Sequence, residues 1–203
     1  MTSNTPPNLV PNPAPNPALN LALIIGSTRE GRVADLVTRW AASLLHEDPR
    51  VRLDVIDLAA LELPISPIRA PHAAKQELAL RIGRADAFIV VTPEYNHGYP
   101  AVLKAAIDHV YHEWQAKPVG FISYGGISGG LRAVEQLRQV FAELHAVSVR
   151  NSLSFASAHT LFDAQGHIRE AEAAATALQQ MLDQLLWWAA SLRTARLATP
   201  YPA

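Results

Sequence analysis

The stretch Leu21-Ala-Leu-Ile-Ile-Gly-Ser-Thr-Arg-Glu-Gly-Arg-Val33 restricts the possible folds more than any other part of the chain. Leu21 to Ile25 is an apolar run of strand length that breaks at Gly26 into a short polar turn. Val33, Leu36, Val37 and Trp40 then recur at helix-face spacing. A strand that turns straight into a helix brings the helix's unpartnered N–H groups to the turn, where the helix dipole favours an anion. Ser27 and Thr28 add hydroxyl donors, and Arg29 and Arg32 add charge-assisted bonds suited to phosphate oxygens. The fitting guest is a phosphate monoester. A nucleoside-triphosphate loop is excluded, because Arg32 and Val33 stand where its Lys and Ser/Thr belong, and the dinucleotide pattern G-x-G-x-x-G is absent. On this stretch alone, a plain helix cap with solvated arginines fits equally well.

The rest of the chain alternates strand and helix patterns. Val51 to Leu58 alternates as a half-buried strand, a loop punctuated by Pro64, Pro67 and Pro71 follows, and residues from about Ala73 to Ile82 read as helix. Ala87 to Thr92 is the continuous apolar run of a central parallel strand. It ends in Thr92-Pro-Glu-Tyr-Asn-His-Gly-Tyr-Pro100, after which Val102, Leu103, Ala106, Ile107 and Val110 form a helical stripe. Pro118 to Ser123 is a fourth strand, followed by Tyr124-Gly-Gly-Ile-Ser-Gly-Gly130 and a helix to about Leu144. Ala146 to Val149 reads as a fifth strand, Asn151 to Gly166 as a loop, and about Arg169 to Leu192 as the last helix.

This pattern predicts an α/β fold, a doubly wound five-stranded parallel sheet of order 2-1-3-4-5 with helices on both faces, as in flavodoxin. Such sheets bind ligands outside the carboxyl ends of their strands at the switch point, so the turns after strands one, three and four are expected to meet. The second of these offers Tyr95, Asn96 and His97, and the third has four glycines that let backbone approach a flat ring.

The 203 residues suit one domain over 20–195, between a Pro/Asn-rich tail over 1–19, expected to be disordered, and a short tail over 196–203. With no cysteine, disulfides and thiolate metal sites are excluded, and 17 basic against 18 acidic residues give no nucleic-acid footprint. No apolar run is long enough for a membrane span and no secretory signal is legible, so the chain reads as a cytoplasmic protein with a small-molecule partner. His109, His112 and Glu113 lie close together on what reads as a helix. They lack the order and third ligand of a metal site, and none is expected.

Gly26-Ser-Thr-Arg-Glu-Gly-Arg32, Pro93-Glu-Tyr-Asn-His97, Pro100-Ala-Val-Leu-Lys-Ala-Ala-Ile-Asp108 and Tyr124-Gly-Gly together resemble the NADPH-dependent FMN reductase family over about residues 20 to 150. The resemblance implies a flavodoxin-like oxidoreductase that passes hydride from NADPH or NADH to FMN and then to a quinone, azo compound or free flavin. It also implies a homodimer or homotetramer. It assigns Ser27, Arg29, Arg32 and Val33 to the phosphate, where the Thr28 hydroxyl is a further donor, and Pro93, Glu94, Tyr95 and Asn96 to the isoalloxazine. Ser123, Tyr124, Gly125 and Gly126 fall near the ring's pyrimidine edge. Ala105 departs from the family's Leu-Lys-Asn-Ala-Ile-Asp pattern, where Asn is usual. The chemistry belongs to the cofactor, so no catalytic side chain is required. Tyr95 and Tyr124 either pack on the ring or fill a helix–sheet seam. A non-enzymatic flavodoxin-like electron carrier is the alternative function on the same fold.

Overall fold

The computed structural model describes residues 18–66, 70–163, 167–169 and 171–202. The tail expected over 1–19 lies outside these up to residue 17, as does Pro67.

Strands β1 (Leu19–Ile25), β2 (Val51–Asp57), β3 (Ala87–Pro93) and β4 (Pro118–Gly125) form the body of one parallel sheet in the order β2-β1-β3-β4. Side chains alternate across each strand, so a fully buried strand serves two cores at once. Leu21, Leu23 and Ile25 of β1 face helices α1 (Ala34–Glu47) and α6 (Ala171–Ala198). Ala22 and Ile24 face the opposite layer of α2 (Ala73–Arg84), α3 (Ala101–His109) and α4 (Leu131–Glu143). On α6 the stripe Leu178, Met181, Leu182, Leu185 and Ala189 is buried at i, i+3, i+4 spacing, and Met181 lies over Gly120 of β4. Trp114, in a short 3₁₀ turn over His112–Trp114, packs edge-on against Phe88 and Phe141 and donates its indole N–H to the Ile107 carbonyl.

Four expectations are corrected, two of them at the edge of the sheet. The fifth strand is only Val147–Ser148 (β5), and the stretch from Asn151 to Gly166, expected as loop, contains a sixth strand, β6 (Leu153–Ala156), and a short helix, α5 (Ala158–Leu161). Both β5 and β6 pair with β4, the first along Pro118–Val119 and the second along Ile122–Gly125, so they are two pieces of one edge. Within the gap, Arg138 donates to the main-chain carbonyls of Val149 and Arg150 at 2.8 and 3.1 Å. His109 and His112 also do not share a helix: α3 ends at His109, whose Nε2–H donates to the Pro64 carbonyl at 2.7 Å. No group of residues among those described could hold a metal ion, and no helix is long and apolar enough to cross a membrane.

Helix α6 continues past Leu192 to Ala198, because Arg193, Ala195, Arg196 and Leu197 are good helix formers and Pro200 comes only afterwards. Arg193 and Arg196 approach Asp86 at 3.6 and 3.5 Å, securing this extra turn to the amino end of the sheet.

Candidate functional site

The turns after β1, β3 and β4 meet at the carboxyl edge of the sheet. The Ser27 and Tyr95 hydroxyls share a hydrogen bond of 2.9 Å, joining the first turn to the second. The Glu94 amide donates to the Tyr124 carbonyl at 3.1 Å, and the Glu94 carboxylate takes the Arg132 guanidinium at 2.6 Å, joining the second to the third.

In the β1–α1 turn the two arginines have different roles. Arg32, with 10% of its side chain exposed, binds both oxygens of Asp57 at 2.8 and 2.6 Å and Asp35 at 2.8 Å, and donates to the Ser27 carbonyl. Four of a guanidinium's five N–H groups are thereby committed. The Asp57 hydrogen bonds raise the Arg32 pKa, and the same bonds hold the Asp57 carboxyl below the usual range. Arg29 is exposed and makes no ion pair or hydrogen bond among the described residues, and Thr28 is exposed beside it. Gly31 has φ +62°, which lets the turn reverse before Val33, the cap position of α1, accepts the Leu36 and Val37 amides. Arg32 thus braces the turn, and Arg29 is the cation left to face a guest.

Pro93 is buried at the end of β3. Residues Tyr95 to Gly98 then close a tight turn in which the Tyr95 and Gly98 main chains exchange hydrogen bonds of 2.9 and 3.1 Å. Asn96 and His97 have φ +48° and +75°, the double left-handed geometry of a hairpin turn, and Gln136 of α4 holds it by donating to the His97 carbonyl. The turn presents the Tyr95 ring 37% exposed. Glu94 instead points inward, with its side chain 6% exposed. Burial opposes its ionisation, but hydrogen bonds from Ser128 and Arg132 outweigh this and lower its pKa. Its carboxylate also accepts the Arg132 amide at 3.2 Å, capping the N-terminus of α4 from another element.

In the β4–α4 turn the glycines divide as well. A Cβ on Gly129 would fall 2.2 Å from the Ser154 hydroxyl, and one on Gly130 would fall 2.7 Å from the Ser123 Cβ, so these two serve packing against β4 and β6. Gly125 is similarly close to the Gly130 amide, whereas a Cβ on Gly126 would meet nothing within 4 Å. Of these four, Gly126 leaves the backbone most open to a flat guest, and Gly125, with the Gly130 amide 3.2 Å from where its Cβ would lie, comes next. The Ser123 hydroxyl is turned inward to the Gly129 carbonyl at 2.8 Å, and next to Gly126 the Ile127 side chain is 95% exposed. Tyr124 does not reach this surface. Its ring lies in the core between sheet and α1, and its buried hydroxyl makes no well-formed hydrogen bond among the described residues, with Ser27, Tyr95, Arg32 and the Ala34 amide as the polar groups around it. Burial raises the Tyr124 pKa, so the phenol stays protonated.

Asp57, Asp35, Ser128 and Arg132 hold these turns but were not singled out in the sequence. Asp57 ends a strand and Arg132 opens a helix, and neither sits in a motif; only the tertiary pairing reveals them.

Over residues 19–160 the chain matches the family model described as NADPH-dependent FMN reductase. It is 37% identical over 127 residues to an NAD(P)H-dependent FMN reductase of Schizosaccharomyces pombe, an alignment covering 58% of this chain and 63% of that protein. It is 30% identical over 157 residues to an Arabidopsis thaliana NADPH:quinone oxidoreductase, covering 72% of this chain and 80% of the relative. The fold is similar to that of FerB from Paracoccus denitrificans, described as a flavoenzyme NAD(P)H:(acceptor) oxidoreductase, with TM-score 0.70 and 24% identity over 86% of this chain and 98% of FerB.

Proposed function

The chain belongs to the NADPH-dependent FMN reductase family, and from that premise we propose that it oxidises NAD(P)H and reduces a small quinone-class acceptor at the edge where its three turns converge. The observation that carries the site is the pair of ties, Ser27 to Tyr95 and Glu94 to Arg132, which hold all three turns as one surface.

The residues fit a flavin mononucleotide. An exposed, uncommitted Arg29 and the exposed Thr28 hydroxyl stand at the amino end of α1, whose first amides favour a phosphate. The open backbone at Gly126 and the half-exposed Tyr95 ring give a flat, largely uncharged surface for the isoalloxazine. We assign phosphate binding to Thr28, Arg29 and the α1 amides, and ring contact to Tyr95, Asn96, Gly125 and Gly126. Ser27, Arg32, Glu94, Ser123 and Tyr124 are assigned to shaping those turns. When bound, the flavin accepts hydride from the nicotinamide and passes electrons to the acceptor.

The protein's own share is placement. Glu94 is ionised and committed to Arg132, and the Tyr124 phenol is protonated and buried, so neither serves as a general base. The main-chain N–H groups of the Gly125–Gly126 turn are the donors for negative charge at the ring edge. The reading includes a homo-oligomer, with Trp187 and Trp188 exposed on α6 as apolar surface for a second copy.

The test is anaerobic mixing of the yellow protein with NADPH and NADH, followed by a panel of quinones, azo dyes, free FMN and chromate. Rapid bleaching of the flavin and reoxidation by quinones is expected. A flavin that neither nicotinamide bleaches contradicts the enzymatic reading and favours a carrier.

A further inference from the structure

Beside the phosphate-type turn is a cavity of about 230 Å³ that shares only its rim residue Thr28 with the flavin assignment. Its walls are Leu58 and Leu63 from the β2–α2 loop, Val102 and Ala105 from α3, and Thr28 and Ile65 at the rim. The cavity is built rather than incidental. The His109 imidazole, buried in α3, donates to the Pro64 carbonyl at 2.7 Å and so fixes the loop wall against the helix wall. Leu103 of the same helix lies against Gly26, where an added Cβ would come within 3.0 Å of it, so α3 and the first turn are in close contact.

We infer that this cavity receives the apolar substituent of the acceptor, an alkyl or prenyl tail on a quinone ring; the inference rests on the quinone reading of the neighbouring site. Size argues for part of a ligand, since whole small-molecule sites run from about 300 to 1,000 Å³. Charge argues against the nicotinamide nucleotide: the one ionisable lining residue is Glu62, an anion, which would repel phosphates. The remaining walls are aliphatic apart from Thr28, and they are aliphatic partly because position 105 is Ala and contributes no amide. Position argues for the acceptor. The Tyr95 hydroxyl is bonded at 2.9 Å to Ser27, the neighbour in sequence of the rim residue Thr28, and the wall residue Val102 follows two residues after Pro100, so the cavity adjoins the surface assigned to the flavin ring and to a head group stacked on it.

The experiment is kcat/KM for a series of 1,4-benzoquinones whose single tail lengthens from methyl to decyl, using the flavin-loaded full chain. The expected rise is up to about fourfold for each methylene buried, levelling once the cavity is full. Ala105→Phe, which fills the cavity, is expected to shrink the ratio of longest-tail to methyl kcat/KM to within about threefold. Ile65→Asp, at a rim residue 73% exposed and so harmless to folding, is expected to lower the same ratio at least fivefold. A flat series in an enzyme that reduces the methyl quinone overturns the tail site and leaves the reductase reading standing. So does a steep series that neither variant alters. Failure to reduce any quinone overturns the reading beneath it.

Discussion

Arg29→Ala and Arg32→Ala should fail in different ways, and the difference tests the division of labour in the first turn. Arg29 is exposed with no partner among the described residues, so its removal leaves the fold intact and deletes one charge-assisted bond to the ligand. Such bonds contribute about 1.5–3 kcal/mol, or about 10- to 150-fold in the FMN Kd. Riboflavin, which lacks the phosphate, should bind the variant as it binds the parent. Arg32 is tied to Asp57, Asp35 and the Ser27 carbonyl, so its removal leaves two carboxylates without their cation beside a loosened turn. Asp57 is about one third exposed, so the stability loss should be a discounted one, about 1–3 kcal/mol, visible as a lowered Tm. FMN and riboflavin should both weaken, because the whole turn shifts. The assay is fluorescence titration with both flavins alongside thermal melts of the apoprotein. If Arg32→Ala removed the preference for FMN at unchanged Tm, while Arg29→Ala left that preference intact, the assignment of brace and ligand would be reversed.

Glu94→Gln should cost about 1–2 kcal/mol in stability and raise hydrogen exchange at the Gly126–Ser128 amides, since the tie to Arg132 and the cap on α4 both weaken; unchanged exchange there would disprove the bracing role. Lys117 concerns the other end of the sheet. Its ammonium is buried against the Ile82 and Gly83 carbonyls, and burial lowers its pKa from the ordinary 10.5 to about 8. Between those values the unfolded chain holds a proton that the folded chain has released, so stability should rise with pH across this window, by about 3 kcal/mol in all at 1.36 kcal/mol per pH unit. Lys117→Met should flatten the rise between pH 8 and 10 in denaturant titrations and change stability little at pH 7, where relief of the buried charge is offset by two carbonyls left unpaired. Readings stop at pH 10, because above it the unfolded Tyr124 ionises before the folded one and stability falls.

Most of the sheet was legible because period-two alternation and uninterrupted apolar runs are local signals. The run Ala87–Thr92 reads as a central parallel strand, and the strand Ala87–Pro93 pairs on both sides. The broken edge was not legible. Leu153-Ser-Phe-Ala156 alternates buried and exposed, but four residues after a loop give too short a pattern, and the Arg138 side chain that bonds the main chain between the two pieces comes from a distant helix. The turns were found because Gly, Pro and paired hydroxyls gather there. The direction of their side chains was not, since it depends on partners far along the chain. Glu94 and Tyr124 lie in the same motifs as Tyr95 and Gly126 yet turn into the protein, one to cap a helix and one to fill the seam over α1.

That separation follows from what a flavin surface demands. Gly31, Asn96, His97, Gly129 and Gly130 give each of the three turns left-handed backbone, and for Asn96 and His97 such geometry costs about 1–3 kcal/mol each and persists only where neighbours impose it. The neighbours are in part inward-facing members of the same motifs, Glu94 for the third turn and Arg32 for the first, and in part residues outside them, Gln136 of α4 for the second and Asp57 of β2 for the first. Each motif therefore spends some side chains on bracing so that others, Arg29, Tyr95 and Gly126, can stay exposed without collapsing onto the protein. A site of this kind needs no buried acid or base of its own. What it needs is a turn that keeps its shape before the ligand arrives, and charged residues facing inward are what supply that rigidity.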